Sequence, residues 1–455
     1  MPHPDTHIAI FGHAKHGKST VAGRLLHEFG AIDERQLEQL TERAQQKGKD
    51  YNAYNLAYLE RRPTTYAKEM NRQDDESRTV VPERGNVRLS SGRMLSIIDT
   101  PGYSRFLNNI IYGAHLSDLA LLVVEASSGV EAGTLNVARI LRSFAIPVVG
   151  IFVTKMDVVD YSEARFRDLC EQIEKDLLGE LDHCPAPPIV PVSALAGDGV
   201  RTAGQMAWYR GPKLVEVVEQ AKASAVPMLD DSLHFVVEGS KEVHSLPGIG
   251  TVIVGTLESG VLRRTDRLLL EPASTQRGEA VEFPIKSMQY ARSITERRTN
   301  ETVDEVAARA IVSVALPDLN VRRAGDLFKR GAVFGTAKRR PTVAELIEAE
   351  VFFFEPDTVY EGKEYVFYTN ASQSVAHITR LPQMEGSAPF LHTRSTKMRD
   401  TVLAFQTGEA DSIRTTIRLK FPVCIEADPA FQRLTRFILK HNNKIVACGR
   451  CLAIL

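Results

Sequence analysis

The residues with the clearest chemical meaning are eight in a row near the amino terminus, Gly12 to Ser19. Their sequence, GHAKHGKS, fits the pattern G-x-x-x-x-G-K-[ST], in which successive backbone N–H groups curl around phosphates. In that pattern the ammonium group of Lys18 reaches the β- and γ-phosphates, and the hydroxyl of Ser19 ligates magnesium. The alternative is a glycine turn that merely joins a strand to a helix. The strand before the segment and the helix after it favour the phosphate site.

A second polar segment, Asp99-Thr100-Pro101-Gly102, follows a run that reads as a strand. An acid at the carboxyl end of a strand can hold magnesium through water, and a glycine after it lets a backbone N–H approach the γ-phosphate. Taken alone, the tetrapeptide fits a simple turn equally well. Behind a phosphate loop it predicts the second half of a magnesium-nucleotide site.

Two further motifs, each at the end of a predicted strand, concern the base. Thr154-Lys155-Met156-Asp157 places a carboxylate where it can accept hydrogen bonds from both N1–H and the N2 amino group of guanine. Adenine lacks that pair of donors, so an unpaired acid would reject it. Ser193-Ala194-Leu195 can offer a backbone N–H to guanine O6. Because all four motifs follow strands, in this order, they together predict one guanine-nucleotide site.

A parallel sheet is the element that would bring these motifs together. Residues 1–222 alternate short β-branched runs with longer helical patterns, which predicts an α/β domain with a mostly parallel sheet and helices on both faces. The predicted helix after the phosphate loop is the apolar-periodic run Val21–Phe29. The predicted strands are His7–Phe11, Met94–Ile98, Ala120–Val124, Val148–Val153 and Pro188–Val192.

The second half of the chain has a different pattern. A segment rich in Ala, Ser and Pro at 223–230 predicts a linker, and beyond it helical periodicity nearly disappears. A break at 338–341 then divides this half into two units of about 100 residues, a usual size for a small β-barrel. The domains expected are therefore 1–222, 226–335 and 340–455. The predicted strands include Thr251–Leu257, Arg267–Glu271, Ala310–Ala315, Tyr365–Tyr368 and Thr415–Leu419.

Composition sets limits on the class of protein. The 455 residues are 43% hydrophobic and 25% charged, as in ordinary globular proteins of two to four domains. No apolar run approaches the length of a membrane span, and the start MPHPDTHIAIFG predicts no signal peptide. Five scattered cysteines fit a reducing cytoplasm. The net charge of -1 gives no overall attraction to nucleic acid, so an RNA partner would need local patches.

These motifs resemble those of the translational GTPases, most closely the elongation factor Tu and elongation factor 1-alpha family. The resemblance spans essentially the whole chain, in the right order. It implies a P-loop GTPase domain followed by two all-β barrel domains, with GTP/GDP and Mg²⁺ as cofactors. The further matching segments are Gly23–Leu26, Gly30–Asp33, Lys47–Lys49, Asp99–Gly113, Val130–Gly133, Gly248–Gly255, Glu258–Val261 and Arg436–Ala447.

The resemblance also implies roles for single residues. The magnesium ligands are expected to be Ser19, Thr79 and Asp99, although Arg78 stands where the family has glycine before the first-switch threonine. The residues expected to act in hydrolysis are Lys18, Tyr103 and Lys15. The residues expected to contact the nucleotide are Gly12, His13, Ala14, Lys15, His16, Gly17, Lys18, Ser19, Thr20, Asp99, Gly102, Thr154, Lys155, Asp157, Ser193, Ala194 and Leu195.

One departure from the family pattern concerns hydrolysis. The family's second switch reads D-x-P-G-H, and its histidine orients the attacking water, whereas this chain has Tyr103 there. A phenol with a usual pKa of about 10 is neutral at pH 7, is longer, and cannot carry the charge of an imidazolium. One alternative, which we favour, is altered hydrolysis that is slow or has another trigger. The other is a drifted residue packed on a partner.

Two other departures lie beside the nucleotide. Lys15 replaces an aspartate, and its ammonium could be a counter-charge for the phosphates or a solvated group on the outer edge of the loop. Thr154 replaces an asparagine. A hydroxyl can brace the phosphate loop less extensively than an amide, which predicts lower nucleotide affinity, with Asp157 still setting the preference for guanine.

Three further segments have open interpretations. His244, in Glu242-Val243-His244, stands where relatives that carry charged tRNA have an aromatic residue, and it could stack on a base or be a solvated loop histidine. The charged segment Tyr66–Arg84 is expected to be the mobile first switch or a disordered loop. Cys448-Gly-Arg-Cys451 has C-x-x-C spacing, but residues three apart on a strand face opposite sides, so a structural role is expected.

The leading prediction is a cytoplasmic GTP-binding, GTP-hydrolysing switch resembling an elongation factor that carries aminoacyl-tRNA. It implies aminoacyl-tRNA, the ribosome and a guanine nucleotide exchange factor as candidate partners, and no membrane. One alternative is a GTPase subunit that regulates a partner enzyme, as in sulfate adenylyltransferase. Another is a GTP-dependent binding module with slow turnover.

Overall fold

The computed structural model describes residues 6–48, 51–59, 79, 82–181, 186–223, 233–237, 243–246, 250–272, 282–290, 302–317, 333–338, 340–354, 358–369, 372–380, 390–393, 401–406, 412–442 and 444–455. The chain divides into two compact units. The first holds the residues up to Ser224, and the second holds nearly all that follow.

A six-stranded sheet forms the centre of the first unit. Its strands are β1 (Thr6–Phe11), β2 (Glu83–Arg88), β3 (Met94–Asp99), β4 (Leu119–Glu125), β5 (Val148–Thr154) and β6 (Ile189–Pro191). They lie in the order β2-β3-β1-β4-β5-β6, where β2 is antiparallel to β3 and the other neighbours are parallel. Consecutive residues of β1, β3 and β4 are buried, so both faces of the sheet are covered.

Seven helices accompany this sheet in the described part of the first unit: α1 (Lys18–Glu28), α2 (Glu34–Lys47), α3 (Ala53–Leu59), α4 (Leu107–Leu116), α5 (Ala132–Ser143), α6 (Glu163–Gln172) and α7 (Leu214–Gln220). A π-helical stretch, Ile173–Leu178, and a last helical turn, Gly179–Leu181, extend α6. Short 3₁₀ turns stand at Ser104–Phe106 and Met156–Val159. The insert expected after α1 is helical, as α2 and α3 show.

The sheet fixes where the polar motifs lie. Parallel strands end at the same edge, so the segments after β1, β3, β5 and β6 converge there. The apolar residues that precede them pack into one core, with Ile10, Val123 and Phe152 among its fully buried members. The sheet edge that carries the polar motifs is thus supported by a buried apolar core.

The second unit is all-β apart from short helical turns in its described residues. One sheet contains β7 (His234–Val237), β8 (Val243–Leu246), β9 (Gly250–Ser259), β11 (Arg267–Glu271), β12 (Glu282–Pro284), β13 (Ser287–Tyr290), β15 (Ile311–Leu316) and β16 (Val333–Gly335). Its order is β12-β11-β16-β7-β9-β15-β13, and β8 pairs with β9. A separate pair joins β10 (Val261–Arg263) to β14 (Glu305–Ala307).

A closed barrel follows, in the order β17-β23-β20-β19-β24-β25. Its strands are β17 (Val343–Phe353), β19 (Glu364–Thr369), β20 (Ser372–Arg380), β23 (Ser412–Cys424), β24 (Arg436–His441) and β25 (Lys444–Ile454). A three-stranded sheet of β18 (Thr358–Tyr360), β22 (Thr401–Gln406) and β21 (Phe390–Thr393) accompanies it. The 3₁₀ turn Pro429–Phe431 leads into the short helix α8 (Gln432–Thr435). The fold class expected from the sequence is confirmed.

Several expectations need correction in detail. Helix α1 begins at Lys18 rather than Val21, because Gly17 with φ 88° is its amino-terminal cap. His244 lies on β8, opposite Val252, and not in a loop. Within the segment 66–84, the structure describes only Thr79 and residues 82–84, where Glu83 begins β2. Glu242 and most of the expected linker also lie outside them.

The described cysteines agree with the structural interpretation. Cys170, Cys424, Cys448 and Cys451 are free thiols, and Cys451 packs in the interior cluster of the closed barrel. Cys448, three residues before it on β25, is also buried. Among the helices of the described chain, none combines the length and the apolar character that a membrane crossing needs.

Candidate nucleotide site

The segment between β1 and α1 forms a tight loop that requires glycine at two places. Gly12 has φ 148°, and a Cβ there would collide with the carbonyl oxygen of Val123. Gly17 has φ 88°. Both lie where L side chains are disfavoured, so these two glycines let the backbone curl. Lys15 also has positive φ, 65°, and its side chain is exposed.

Lys18 lies inside this loop. Its Nζ donates hydrogen bonds to the carbonyl oxygens of Gly12 at 3.0 Å and His13 at 2.6 Å, and the residue is only 6% exposed. Burial lowers the pKa of Lys18 to about 8, and the nearby Asp99 carboxylate opposes that shift. The ammonium group therefore stands within the curl of the loop, where phosphate oxygens can replace the two carbonyls.

The three candidate magnesium ligands meet at the end of β3. The hydroxyl of Ser19 donates to Oδ2 of Asp99 at 2.7 Å, and the hydroxyl of Thr79 donates to the same oxygen at 2.7 Å. The two hydroxyl oxygens are 2.9 Å apart. A carboxylate and two hydroxyls are the hard oxygen donors that Mg²⁺ accepts. Thr79 is one of the three, although Arg78 stands where the family has a glycine before this threonine.

Gly102 lies directly against the phosphate loop. A Cβ at this position would collide with Nζ of Lys18 and crowd the backbone N of Ala14 and the carbonyl of His13. Only glycine therefore allows the second-switch backbone to come this close. The preceding Thr100 ties the segment to β1, since its hydroxyl donates to the carbonyl of Ile10 at 2.6 Å.

The two base-side motifs are joined by a hydrogen bond. The hydroxyl of the fully buried Ser193 donates to Oδ1 of Asp157 at 2.6 Å, which orients an otherwise exposed carboxylate. Ala194 is buried, whereas Leu195 is 57% exposed beside it. Lys155 has φ 58°, and its Nζ lies 3.0 Å from Oε2 of Glu125. The base side of the site, here called the rim, is thus open to solvent, and its carboxylate, Asp157, is held in place by Ser193.

Thr154 connects the base side to the phosphate loop. Its hydroxyl donates to the carbonyl oxygen of His16 at 2.7 Å, and the carbonyl of Val124 lies at 3.3 Å. A hydroxyl has a single proton, so it makes one such donation at a time. Thr20 follows Lys18 and Ser19 in the chain. Its hydroxyl accepts a hydrogen bond from Nδ2 of Asn52 at 3.2 Å.

Tyr103 and Lys15, the residues expected to alter hydrolysis, occupy different surroundings. Tyr103 is half-buried just beyond Gly102, and its ring meets Phe106 edge-on at a centroid distance of 6.3 Å. The guanidinium of Arg105 lies over both rings, 5.3 Å and 4.8 Å from their centroids. Lys15 remains on the exposed side of the phosphate loop.

Two acids that the motifs do not contain also belong to this neighbourhood. Glu125, at the end of β4, pairs with Lys155. Glu131, just before α5, lies within hydrogen-bond distance of both His13 and His16. In the sequence, Glu131 lies in the segment Val130–Gly133 that resembles the family, but nothing there indicates a contact with His16, 115 positions away.

Comparisons with known proteins agree with this arrangement. A family model for the elongation factor Tu GTP binding domain matches residues 3–233. Elongation factor 1-alpha of Thermococcus onnurineus is 30% identical over 465 residues, which cover 99% of this chain and 98% of the relative. Elongation factor 1-alpha of Natronomonas pharaonis is 29% identical over 456 residues, covering 99% and 98%.

Solved structures share the fold. The Ski7 GTPase-like domain of S. cerevisiae, in its crystal structure bound to GTP, has a TM-score of 0.71 at 14% identity and covers 99% of this chain and 97% of its own. Elongation factor SelB from Methanococcus maripaludis, in complex with the GTP analogue GPPNHP, has a TM-score of 0.60 at 17% identity, with coverage of 100% and 80%. The family model matches just over half of the chain, residues 3–233. This protein therefore belongs to the translational GTPases of the elongation factor Tu and elongation factor 1-alpha type, a family of GTP-binding switches.

Proposed function

We propose that this protein is a GTP-controlled carrier of aminoacyl-tRNA that hydrolyses GTP slowly. The observation that carries the proposal is the similarity to elongation factor 1-alpha, which extends over 99% of the chain and so includes the barrels as well as the GTPase domain. A factor of this kind works with ribosomes, so the proposal implies the cytoplasm as its compartment.

We propose a three-domain plan with boundaries at 1–222, 226–335 and 340–455. The pairing of the described strands supports it, since β7 to β16 pair only among themselves and β17 to β25 do the same within the described residues. In relatives that carry charged tRNA, the second domain lines the pocket for the terminal adenosine. His244 on β8 is the residue of this chain that would stack on that base.

The proposed nucleotide contacts are those of the four motifs. Lys18 would move from the carbonyls of Gly12 and His13 to the β- and γ-phosphates, and Asp157 would accept hydrogen bonds from guanine. Ser19, Thr79 and Asp99 would hold Mg²⁺, which would neutralise charge on the phosphates during hydrolysis. The donors to guanine O6 and the phosphates are backbone N–H groups, including those at Ala194, Leu195 and along the phosphate loop.

Slow hydrolysis is proposed from the residue at the water-orienting position. Tyr103 is a neutral phenol whose ring packs with Phe106 under the guanidinium of Arg105. At that position the family's histidine can carry a charge, whereas a neutral phenol can only hydrogen-bond. We therefore expect a low intrinsic rate. Tyr103→His should raise the ribosome-stimulated rate only if a family-type activator still docks.

Two measurements test the proposed function. Filter binding of the GTP-loaded protein should retain aminoacyl-tRNA and pass uncharged tRNA. Single-turnover GTP hydrolysis should be slow alone and faster with ribosomes for Tyr103→His than for the wild type. Equal retention of charged and uncharged tRNA, or of neither, would remove the carrier role. Co-purification with a nucleotidyltransferase would instead favour a subunit that regulates an enzyme, and strong ribosome stimulation of the wild type would show that Tyr103 does the work of histidine.

A further inference from the structure

We propose that Glu131 is a positioning residue of the nucleotide site, which holds the phosphate loop in its binding conformation through His13 and His16. The inference rests on the proposed nucleotide contacts of that loop. It adds a residue from outside the four motifs, located on the loop that leads into α5. Glu131 is not expected to touch the nucleotide itself.

The carboxylate of Glu131 bridges the two histidines. Its Oε2 is 3.1 Å from Nε2 of His13, and its Oε1 is 3.0 Å from Nε2 of His16. The rings of the two histidines are close, with centroids 5.3 Å apart. One side chain thus fixes the loop at two points on either side of Ala14 and Lys15.

The surroundings of His16 determine which of its nitrogens carries the proton. Its Nδ1 accepts a hydrogen bond from the backbone N–H of Glu125 at 3.3 Å. Its Nε2 therefore carries hydrogen and donates to Glu131, with the hydroxyl of Ser128 also 3.2 Å away. Burial lowers the pKa of His16, with Lys18 adding to the effect, so the ring is neutral at pH 7. The hydrogen bond with His16 lowers the pKa of Glu131, which keeps it ionised.

The loop needs such an anchor because its backbone adopts conformations that are energetically unfavourable. Gly12, Lys15 and Gly17 all have positive φ, and Lys15 takes this conformation without being glycine. Such conformations persist where surrounding contacts hold them. Lys18 holds two carbonyls of the loop in the present structure, but those bonds are lost when its ammonium turns to the phosphates. The contacts that remain include those of Glu131, the backbone N–H of Glu125 and the hydroxyl of Thr154.

The first turn of α5 is shaped to accept this contact. Glu131 is the residue just before α5 and makes no side-chain capping bond to it, and Gly133 lies two residues further on. A Cβ at Gly133 would collide with Nδ1 of His13. Glycine therefore allows the helix to lie against the ring that Glu131 holds, and a larger residue would push His13 away without altering the carboxylate.

The test measures the dissociation rate of a fluorescent GDP from the full-length protein. Glu131→Ala should speed dissociation about tenfold, the change expected for a lost hydrogen bond to a charged group. Glu131→Gln should stay within about threefold of the wild type, because its amide can accept from His16 and donate to His13. Gly133→Ala should also speed dissociation. Glu163→Ala, a partly exposed acid that pairs with Arg167 at the start of α6, and Gly179→Ala, with open space around it, are the matched controls.

A second readout separates positioning from a general loss of structure. Competition with guanosine, which has no phosphate, should give the same affinity for Glu131→Ala and wild type, since only the phosphate loop is disturbed. An unchanged GDP rate in both Glu131→Ala and Gly133→Ala would overturn the proposal, as would an equal loss for guanosine. The variant Lys18→Ala separates a failure of the proposed nucleotide site from a failure of the role proposed for Glu131. If it keeps wild-type GDP affinity, the nucleotide site itself is misplaced; if it alone loses affinity, only the role of Glu131 fails.

Discussion

The phosphate half and the base half of the candidate site are built differently. In the phosphate half, Lys18 and Asp99 are buried, and each is hydrogen-bonded to neighbouring loop or switch residues. In the base half, Asp157 is exposed, and Leu195 is 57% exposed. A buried charge needs partners at all times, whereas an exposed one is solvated when its ligand leaves.

The difference has a functional consequence. In the proposed site, the phosphate half would exchange internal bonds for bonds to the ligand, so binding there would rearrange the protein. This suits a switch, because a change at the γ-phosphate would reach Gly102, which lies against Lys18. The base half keeps the bond from Ser193 to Asp157 and needs no such exchange to accept guanine. We therefore expect affinity and switching to depend mainly on the phosphate half, and selectivity for guanine on the base half.

The largest effect is expected in the phosphate half. Lys18→Ala should weaken GDP binding by about 3 kcal/mol, because a charge-assisted contact is lost from a water-poor site. Titration with fluorescent GDP measures the loss, and circular dichroism should show the barrels still folded. Lys15→Ala, an exposed lysine of the same loop, is the control and should bind nearly as the wild type does. Retained affinity in Lys18→Ala would contradict the whole comparison.

A smaller effect, in selectivity, is expected at the rim. Asp157→Asn should weaken GDP binding about 100-fold and shift preference towards xanthosine diphosphate, whose 2-oxo group can accept from the new amide. Stability should change by less than about 0.5 kcal/mol, because the position is exposed and the amide oxygen can still accept from Ser193. Calorimetry with GDP, XDP and ADP checks this. Binding of ADP by the wild type as tightly as GDP would remove the guanine assignment.

The sequence was sufficient for the parts of the site whose chemistry is local. A phosphate loop has a spacing set by backbone N–H geometry, so Gly12, Gly17 and Lys18 can be read directly. Strand Arg267–Glu271 was predicted with the bounds that the structure has, since its apolar run ends in the proline turn that follows. The family resemblance supplied Thr79, which no spacing rule would have selected.

Contacts between distant segments were beyond the sequence. Glu131 meets the phosphate loop only because α5 begins beside it in the folded chain. Strand β2 has the sequence ERGNVR, which lacks an apolar alternation because the strand lies at the edge of the sheet. Helix α1 begins at Lys18, before its apolar pattern, because Gly17 at the end of the phosphate loop is its amino-terminal cap. In each case tertiary structure overrides the local pattern.

The link between the two halves can be tested at Thr154. Thr154→Val keeps the shape of the side chain but removes the hydroxyl that donates to His16. A buried carbonyl left without that donor costs about 1 kcal/mol, so GDP affinity should fall about fivefold while the preference for GDP over ADP is unchanged. Thr154→Ser, which keeps the hydroxyl, is the matched control. A change in base preference would place Thr154 in the rim rather than between the halves.

The smallest effect is expected at Lys15, where the phosphate half meets solvent. An exposed ammonium in a high-dielectric environment interacts weakly with the phosphates, so intrinsic GTP hydrolysis should be nearly the same in sodium and potassium buffers. Several translational GTPases use an aspartate here to help hold a monovalent cation, and a lysine would repel such an ion. Lys15→Asp reverses the charge and suits the positive φ of 65° at this position, since aspartate tolerates that conformation better than lysine. We expect potassium to accelerate single-turnover hydrolysis by the Lys15→Asp variant about two- to threefold over sodium. Strong potassium activation of the wild type would show that a cation is held despite Lys15. The exposed edge of the phosphate loop would then take part in hydrolysis together with its buried centre.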